Sequence, residues 1–297
     1  MCEASGAVRG TRRLRDGIGK LCPVTRRSRS LSQAPTLRPL TGSRLGEALI
    51  AGWRPLQRLD VDGFSLLRSR GVTKRAHSIV ALDPPTTPDA ITAALERVES
   101  LVTMVGEQTV HRIIEGVSPE GLDDLLAARG DQSVGASEIL ELPLSGVLPR
   151  PHPSAVIATG ALDEDWFEAA WRLAPREGEN SRQTMHDILA GTPAVQVRLP
   201  VPEIPDAAVG RAALVEAGKE TVGVLNMIAV DPTQRRRGLG RALSGTLLAL
   251  AAVQGASRVL LEVESDNTPA RTLYRDLGFR RIGGYHYRVG QTPQDPS

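Results

Sequence analysis

The sequence predicts an α/β protein on a mixed sheet, arranged as two similar halves. Three observations point there. An apolar strand ending near Val230 runs through the basic, glycine-containing turn Asp231–Gly240 straight into an apolar helix, a strand–turn–helix unit. The order strand, strand, helix, strand, helix, strand reads off twice along the chain. In each half an Asp-Pro pair follows a strand, Asp83-Pro84 and Asp231-Pro232, and a helix-ending glycine, Gly130 or Gly278, lies 47 residues beyond the aspartate (130 less 83, 278 less 231). A fixed internal spacing of this kind marks a duplication, and 297 residues accommodate two such units.

Residues 1–44 are rich in Arg, Ser, Pro and Gly with little apolar periodicity, so a disordered basic tail is expected. The composition also fits a transit peptide or a nucleic-acid-binding segment; the reading adopted is a solvated tail, or sequence ahead of the true start. This stretch holds ten Lys/Arg against Glu3 and Asp16. Taking these from the totals of 36 and 34 leaves 26 basic and 32 acidic residues in the body, a net of −6. Both cysteines, Cys2 and Cys22, lie in the tail, so disulfides, thiolate catalysis and cysteine metal sites are excluded from the body. No apolar run approaches the ~20 residues of a membrane span. A cytoplasmic enzyme is expected, with no membrane partner and no nucleic acid; a homodimer stays open.

The first half spans about 45–150. Phe64–Arg68 and Ser78–Leu82 read as strands. Thr87 is placed as N-cap and Pro88 as first residue of a helix. Its stripe is Ile91, Ala94, Leu95, Val98, Leu101, Val102 and Val105, with Gly106 as terminator. Val110–Ile114 is a strand, Ser118-Pro119 opens a second helix with Leu122, Leu125 and Leu126 inward, and Val134–Leu142 is a further strand.

The second half spans 151–290, beyond the Pro149–Pro153 link, and 291–297 is expected to be a disordered tail. Ala155–Ala158 is a short strand. Asp163 caps a helix bearing Trp166, Phe167, Ala170, Trp171 and Leu173, and a second helix covers Ser181–Ala190. Ala194–Leu199, Val209–Glu216 and Val222–Val230 are strands. Pro200–Pro205 is a loop, and Gly218-Lys219-Glu220 turns a hairpin. The helix after Gly238 is expected to bury Leu239, Leu243, Leu247, Leu250 and Val253. Arg258–Glu264 is a strand, Thr268–Leu277 a helix and Arg281–Val289 the last strand.

The turn of the second half is built for an anion. Glycine lets a backbone approach a ligand closely, and the first amides of a helix lack intrahelical partners at the positive end of its dipole. Arg235, Arg236, Arg237 and Arg241 surround it. In the first half Pro84, Pro85 and Pro88, which have no N–H, and Asp89, which repels an anion, stand in the corresponding place. That half is expected to hold no coenzyme.

Arg235-x-x-Gly238-x-Gly240 resembles the R/Q-x-x-G-x-G/A signature of the GNAT superfamily of N-acyltransferases. The block L-E-V-x-S-x-N-x-x-A-x-x-L-Y-x-x-x-G-F, Leu261 to Phe279, is similar to the ribosomal-protein alanine acetyltransferases within it. Gly71–Ser78, G-V-T-K-R-A-H-S, resembles a segment of two-part GNAT proteins of actinobacterial type. The resemblance implies the GNAT acyl-CoA N-acyltransferase fold, complete in the second half and degenerate in the first, with acetyl-CoA as co-substrate and no metal. It implies that backbone groups of Ile228, Ala229 and Val230 pair with the pantetheine arm and that Asn267 hydrogen-bonds the coenzyme. It implies that amides of Arg236, Arg237, Gly238, Leu239, Gly240 and Arg241 hold the pyrophosphate. Glu262 is implied as general base and Tyr274, 12 residues on (274 less 262), as general acid.

The residues support that chemistry on their own terms. An alkylammonium with a pKa of about 10.4 must lose a proton before it attacks, and a leaving thiolate must gain one. On the strand, Glu262 and Glu264 share a face, opposite Val259, Leu261 and Val263; Glu264 is the reserve base, and a solvated strand face is the plain alternative. Tyr274 is read against a core tyrosine, and His77 as a site residue or a structural one. Tyr285-His286-Tyr287 is read either as a wall of the acceptor pocket or as an ordinary final strand. The expected activity is acetyl transfer to a primary amine by direct attack. A non-catalytic acyl-CoA-binding regulator and an acetyltransferase of a basic, histone-like protein are the alternatives.

Overall fold

The computed structural model describes residue 37 and residues 39–291. The expected tail 1–36 and the expected tail 292–297 lie outside the described residues. Seven helices and eleven strands follow one another within them. The first half comprises α1 (Gly42–Gly52), β1 (Gln57–Val61), β2 (Phe64–Arg68), β3 (Ile79–Ala81), α2 (Pro88–Thr103), β4 (Val110–Ile114), α3 (Leu122–Ala128) and β5 (Gln132–Pro143). The second comprises β6 (Val156–Gly160), α4 (Glu164–Leu173), α5 (Ser181–Ala190), β7 (Ala194–Val201), β8 (Ile204–Ala217), β9 (Glu220–Val230), α6 (Leu239–Val253), β10 (Ala256–Glu264), α7 (Thr268–Asp276) and β11 (Arg280–Val289).

All eleven strands form one sheet, ordered β1-β2-β3-β4-β11-β5-β10-β9-β8-β7-β6. The pairs β3·β4 and β9·β10 are parallel and the rest antiparallel. Each half sends its final strand into the other: β5 pairs with β10, and β11 pairs with β4. The two exchanged strands meet antiparallel at the centre, where Tyr285 faces Ser137. The link at Pro149–Pro153 thus divides the repeat but not the sheet. Parallel neighbours need a crossover, and each is supplied by a helix, α2 between β3 and β4 and α6 between β9 and β10.

Helices cover both faces. On one, α6 and α7 lie over Leu261, Val263, Leu140 and Phe279, while α2 and α3 bury Phe64, Ile79, Leu95 and Leu126. On the other, α1 packs over Leu260, Ile139, Tyr285 and Tyr287, and α4 and α5 gather Trp53, Trp166, Phe167 and Met185. Asp163 caps α4 by accepting from the Trp166 amide at 2.8 Å, an interaction of about 1 kcal/mol.

Several elements depart from the sequence reading. The disordered tail was expected through residue 44, yet α1 begins at Gly42 and Leu40 is buried. This glycine-rich helix has little propensity of its own and is held by burial of Leu45, Ala48, Leu49 and Ile50. Its glycines are used for contact: a Cβ on Gly52 would sit 2.5 Å from Val224 Cβ. The short edge strand β1 is almost wholly exposed. At the second helix of the first half, Ser118 does not cap. Its hydroxyl instead accepts the Ile114 amide at 2.9 Å, and α3 starts only at Leu122. Thr87 stands at the N-cap of α2 without a side-chain bond. The expected loop Pro200–Pro205 is a tight hairpin between β7 and β8. Val105 and Val253 are exposed, the first beyond the end of α2 at Thr103 and the second as the last residue of α6; Leu248 and Ala251 are buried instead.

Candidate active site

The pairing of β9 with β10 stops at Leu225 and Leu261, although β9 continues to Val230 and β10 to Glu264. The separation begins where β9 bulges. Its register against β8 shifts between Val209 and Arg211, and Met227 has φ 52°. The bulge is pinned from below. Asn226 donates to the Gly52 carbonyl at 3.1 Å and accepts from Arg211 at 3.4 Å. Arg211 is buried and donates to the carbonyls of Leu189 (2.8 Å), Thr192 (2.7 Å) and Gly52 (3.4 Å), at the C-terminal ends of α5 and α1. Burial lowers its pKa to about 10; helix C-terminal carbonyls are the charge it meets.

Ile228, Ala229 and Val230 are therefore half-buried on a strand that pairs with β8 on one side and leaves β10 on the other. A backbone edge in this state accepts an added strand. Beyond Val230, Asp231 turns the chain by accepting from Thr233 N at 2.9 Å. Arg236 has φ 63° and Gly238 φ 82°. A Cβ on Gly238 would meet nothing within 4 Å, so the backbone angle, not crowding, selects glycine there. The first turn of α6 then presents Leu239, Gly240 and Arg241 with amides unspent by the helix. Arg237 is held by Gln234 (2.6 Å) and Arg241 by Asp276 (3.0 Å). The donors fit a diphosphate. Asn267 is the N-cap of α7, its oxygen taken by the Ala270 amide at 3.2 Å, which leaves its side-chain N–H groups as donors.

Tyr274 lies on the α7 side, buried beside Phe279 with ring centroids 5.7 Å apart. Burial pushes its phenol up to about 12. Glu262 lies on the opposite face, and its carboxylate is not free. Arg112 of β4 donates to one oxygen, and Arg75 stands 3.2 Å from the other. Arg112 is fully buried, with its guanidinium 4.0 Å above the Tyr285 ring, and its Nε and Nη1 have no partner among the described residues. Arg75 lies 5.2 Å over Trp53. Burial alone would raise Tyr285, but Arg75 and Arg112, with the Ser137 and Arg75 hydrogen bonds, outweigh it and hold the phenol below its ordinary value. Burial pushes neighbouring Tyr287 up to about 12.

The expected base and acid thus flank the diverging strands from opposite faces. Glu264 is exposed at the end of β10. His77 is spent on its own loop: its Nδ1 accepts from Ser69 N (3.0 Å) and Gly71 N (3.3 Å). Sequence reasoning missed Arg75 and Arg112. The available signal was a charged residue inside the apolar strand Val110–Ile114, which a central strand rarely buries unless it is paired. Among the described residues no helix is long and apolar enough to cross a membrane, and no group of three or more His, Cys, Asp or Glu is placed to hold a metal.

The chain resembles known proteins over most of its length. The chain is 25% identical over 245 residues to a mycothiol acetyltransferase of Catenulispora acidiphila, covering 76% of each chain. A mycothiol acetyltransferase of Geodermatophilus obscurus is 46% identical over 66 residues, 22% of this chain and 21% of that one. Among solved structures, a GCN5-related N-acetyltransferase from Kribbella flavida has a TM-score of 0.62 at 18% identity, covering 85% of this chain and 96% of that one. A tandem GNAT protein from the clavulanic acid biosynthesis pathway has a TM-score of 0.58 at 14% identity, covering 73% and 74%. The family described as "Probable histone acetyltransferase Rv0428c C-terminal" matches residues 43–288. The chain belongs to that family and is an acetyltransferase of the GNAT type.

Proposed function

We propose that the protein transfers an acetyl group from acetyl-CoA to a primary amine by direct attack. The observation that carries this reading is the divergence of β9 and β10 beyond Leu225 and Leu261, with unspent α6 amides at one end and Tyr274 and Glu262 on opposite faces. Acetyl-CoA would supply an activated acyl group. The backbone of Ile228, Ala229 and Val230 would pair with the pantetheine arm. Amides of Arg236, Arg237, Gly238, Leu239, Gly240 and Arg241 would hold the diphosphate, and Asn267 would donate to the coenzyme. Tyr274 keeps its proton well above neutral pH and is the donor to the departing sulfur. On the other face, the ammonium proton is taken up within the cluster anchored by Glu262. A cytoplasmic setting belongs to the same reading.

For the acceptor, the relatives named mycothiol acetyltransferases support a mycothiol-type substrate. A second reading, a basic protein acceptor, is favoured by the family description and by the net −6 of residues 45–297. An acetylation screen decides between them. It spans mycothiol-type amines, amino acids, polyamines, aminoglycosides, protein N-termini and histone-like proteins, with calorimetry of acetyl-CoA in parallel. Binding of acetyl-CoA with no turnover across the panel would sink the catalytic reading in favour of a regulator.

A further inference from the structure

We propose that Tyr285 takes the proton from the acceptor's ammonium, with Glu262, Arg112 and Arg75 as the positioning charges; this rests on the acetyl-transfer reading above. The argument begins with Glu262. A carboxylate with both oxygens engaged by guanidinium groups is stabilised in its ionised form, which makes it a poor proton acceptor. The same two arginines leave the cluster one anion short. Arg112 and Arg75 bring two positive charges, Glu262 brings one negative charge, and Arg112 Nε and Nη1 stay unpaired in a fully buried position. A phenolate at Tyr285 supplies the missing anion directly beneath the Arg112 guanidinium, 4.0 Å from the ring centroid.

Every element around Tyr285 agrees. β4 contributes Arg112, the turn Lys74–Ala76 contributes Arg75, β5 contributes the Ser137 hydroxyl, and β10 contributes Glu262. On its own strand Tyr287 stands 5.5 Å away, ring to ring, with its phenol pushed up. From α1, Leu45, Ala48, Leu49 and Ile50 pack into the apolar cluster that holds Tyr285. Further out, Arg176 lies within electrostatic range of both Arg75 and Glu264. The direction of the Tyr285 titration, held down by Arg75 and Arg112 against burial, agrees with the geometry.

The step balances. The ammonium gives one proton to the Tyr285 oxygen. The freed lone pair forms the N–C bond while the C–S bond breaks, and the sulfur takes the Tyr274 proton. The nitrogen returns its surplus proton through solvent to the Tyr274 oxygen. Tyr285 releases its own proton to solvent, one per turnover.

The chain has three tyrosines, so the near-ultraviolet tyrosinate absorption of the full chain can be read residue by residue. We expect one ionisation below the ordinary ~10 and two near about 12, from Tyr274 and Tyr287. Tyr285→Phe should erase the early step and lower kcat on the order of 100-fold, with acetyl-CoA binding unchanged by calorimetry. Arg75→Gln should move the early step upward, and the acid limb of kcat/KM with it; this variant serves should Tyr285→Phe fail to fold. The inference is overturned by an early tyrosinate that is absent in the native chain or persists in Tyr285→Phe. It is also overturned if Tyr285→Phe keeps native kcat while Glu262→Gln removes the pH-dependent limb. The titration needs no turnover, so an absent early tyrosinate sinks the inference while leaving acetyl transfer standing.

Discussion

Arg112 and Glu262 form a buried ion pair across two intervening strands. Arg112 sits on β4 and Glu262 on β10, with β11 and β5 between them. The arginine side chain is 0% exposed and the glutamate 3%, so neither charge has water as a substitute. Removing one partner of such a pair costs about 3–5 kcal/mol, while replacing both by apolar groups is often neutral. Glu262→Leu is therefore expected to lower the unfolding free energy by that margin. Adding Arg112→Met to it should recover most of the stability without recovering activity. A single variant within about 1 kcal/mol of native would show that the pair is solvated.

Tyr274→Phe should separate binding from chemistry. The phenol sits against Phe279 in an apolar cluster and its pKa is pushed up to about 12 by burial. Its proton is therefore present through the whole physiological range, and a basic limb set by Tyr274 belongs above the ordinary phenol value of ~10. The variant should keep acetyl-CoA affinity in calorimetry and lose kcat on the order of 100-fold. Equal losses in affinity and turnover would identify Tyr274 as packing only.

Gly238→Asp should abolish the anion site through two effects with the same sign. At φ 82° a side chain costs roughly 1–2 kcal/mol of backbone strain, and a carboxylate at the helix N-terminus repels a diphosphate. Acetyl-CoA affinity should fall at least ~10-fold, since 1.4 kcal/mol is tenfold. Gly238→Ala isolates the strain, because its Cβ meets nothing within 4 Å. Native affinity in Gly238→Asp would remove the turn from the binding site.

Much of this was legible in the sequence because it is local. The turn, the cap at Asp163, and the α5 boundaries at Ser181 and Ala190 follow from residue type and spacing; the cap at Asn267 was not read from the sequence. What escaped is non-local. α1 is a helix by virtue of Val224 and Leu260 beneath it and not by its three glycines. The exchange of β5 and β11 cannot be read from strand order, since either pairing buries the same alternation. Glu262 looked like a free carboxylate because its partners, Arg75 and Arg112, lie 187 (262 less 75) and 150 residues away.

The first half should bind no acetyl-CoA. Its equivalent turn has Pro88 at the first position of α2 and Asp89 in the first turn. Proline removes an amide, and the carboxylate already answers the helix dipole. Calorimetry of the full chain should count one coenzyme per chain. Two equivalents in the native chain would place a working site in the first half.

Arg211 should be irreplaceable by lysine. Its guanidinium reaches Leu189, Thr192 and Gly52 carbonyls and the Asn226 side chain at once, a spread that one ammonium cannot reproduce. Burial holds its pKa at about 10, below the ordinary guanidinium value, so between the two the folded chain carries fewer protons than the unfolded one. Stability from this group then rises with pH across that window and is lowest below about 10. Arg211→Lys should lose roughly 1–3 kcal/mol by leaving buried carbonyls unpaired. Because Asn226 fixes the point where β9 leaves β10, acetyl-CoA affinity should fall as well, although Arg211 itself lies in the buried core behind that bulge. A destabilised variant with native affinity would mean that the bulge holds its shape without this anchor.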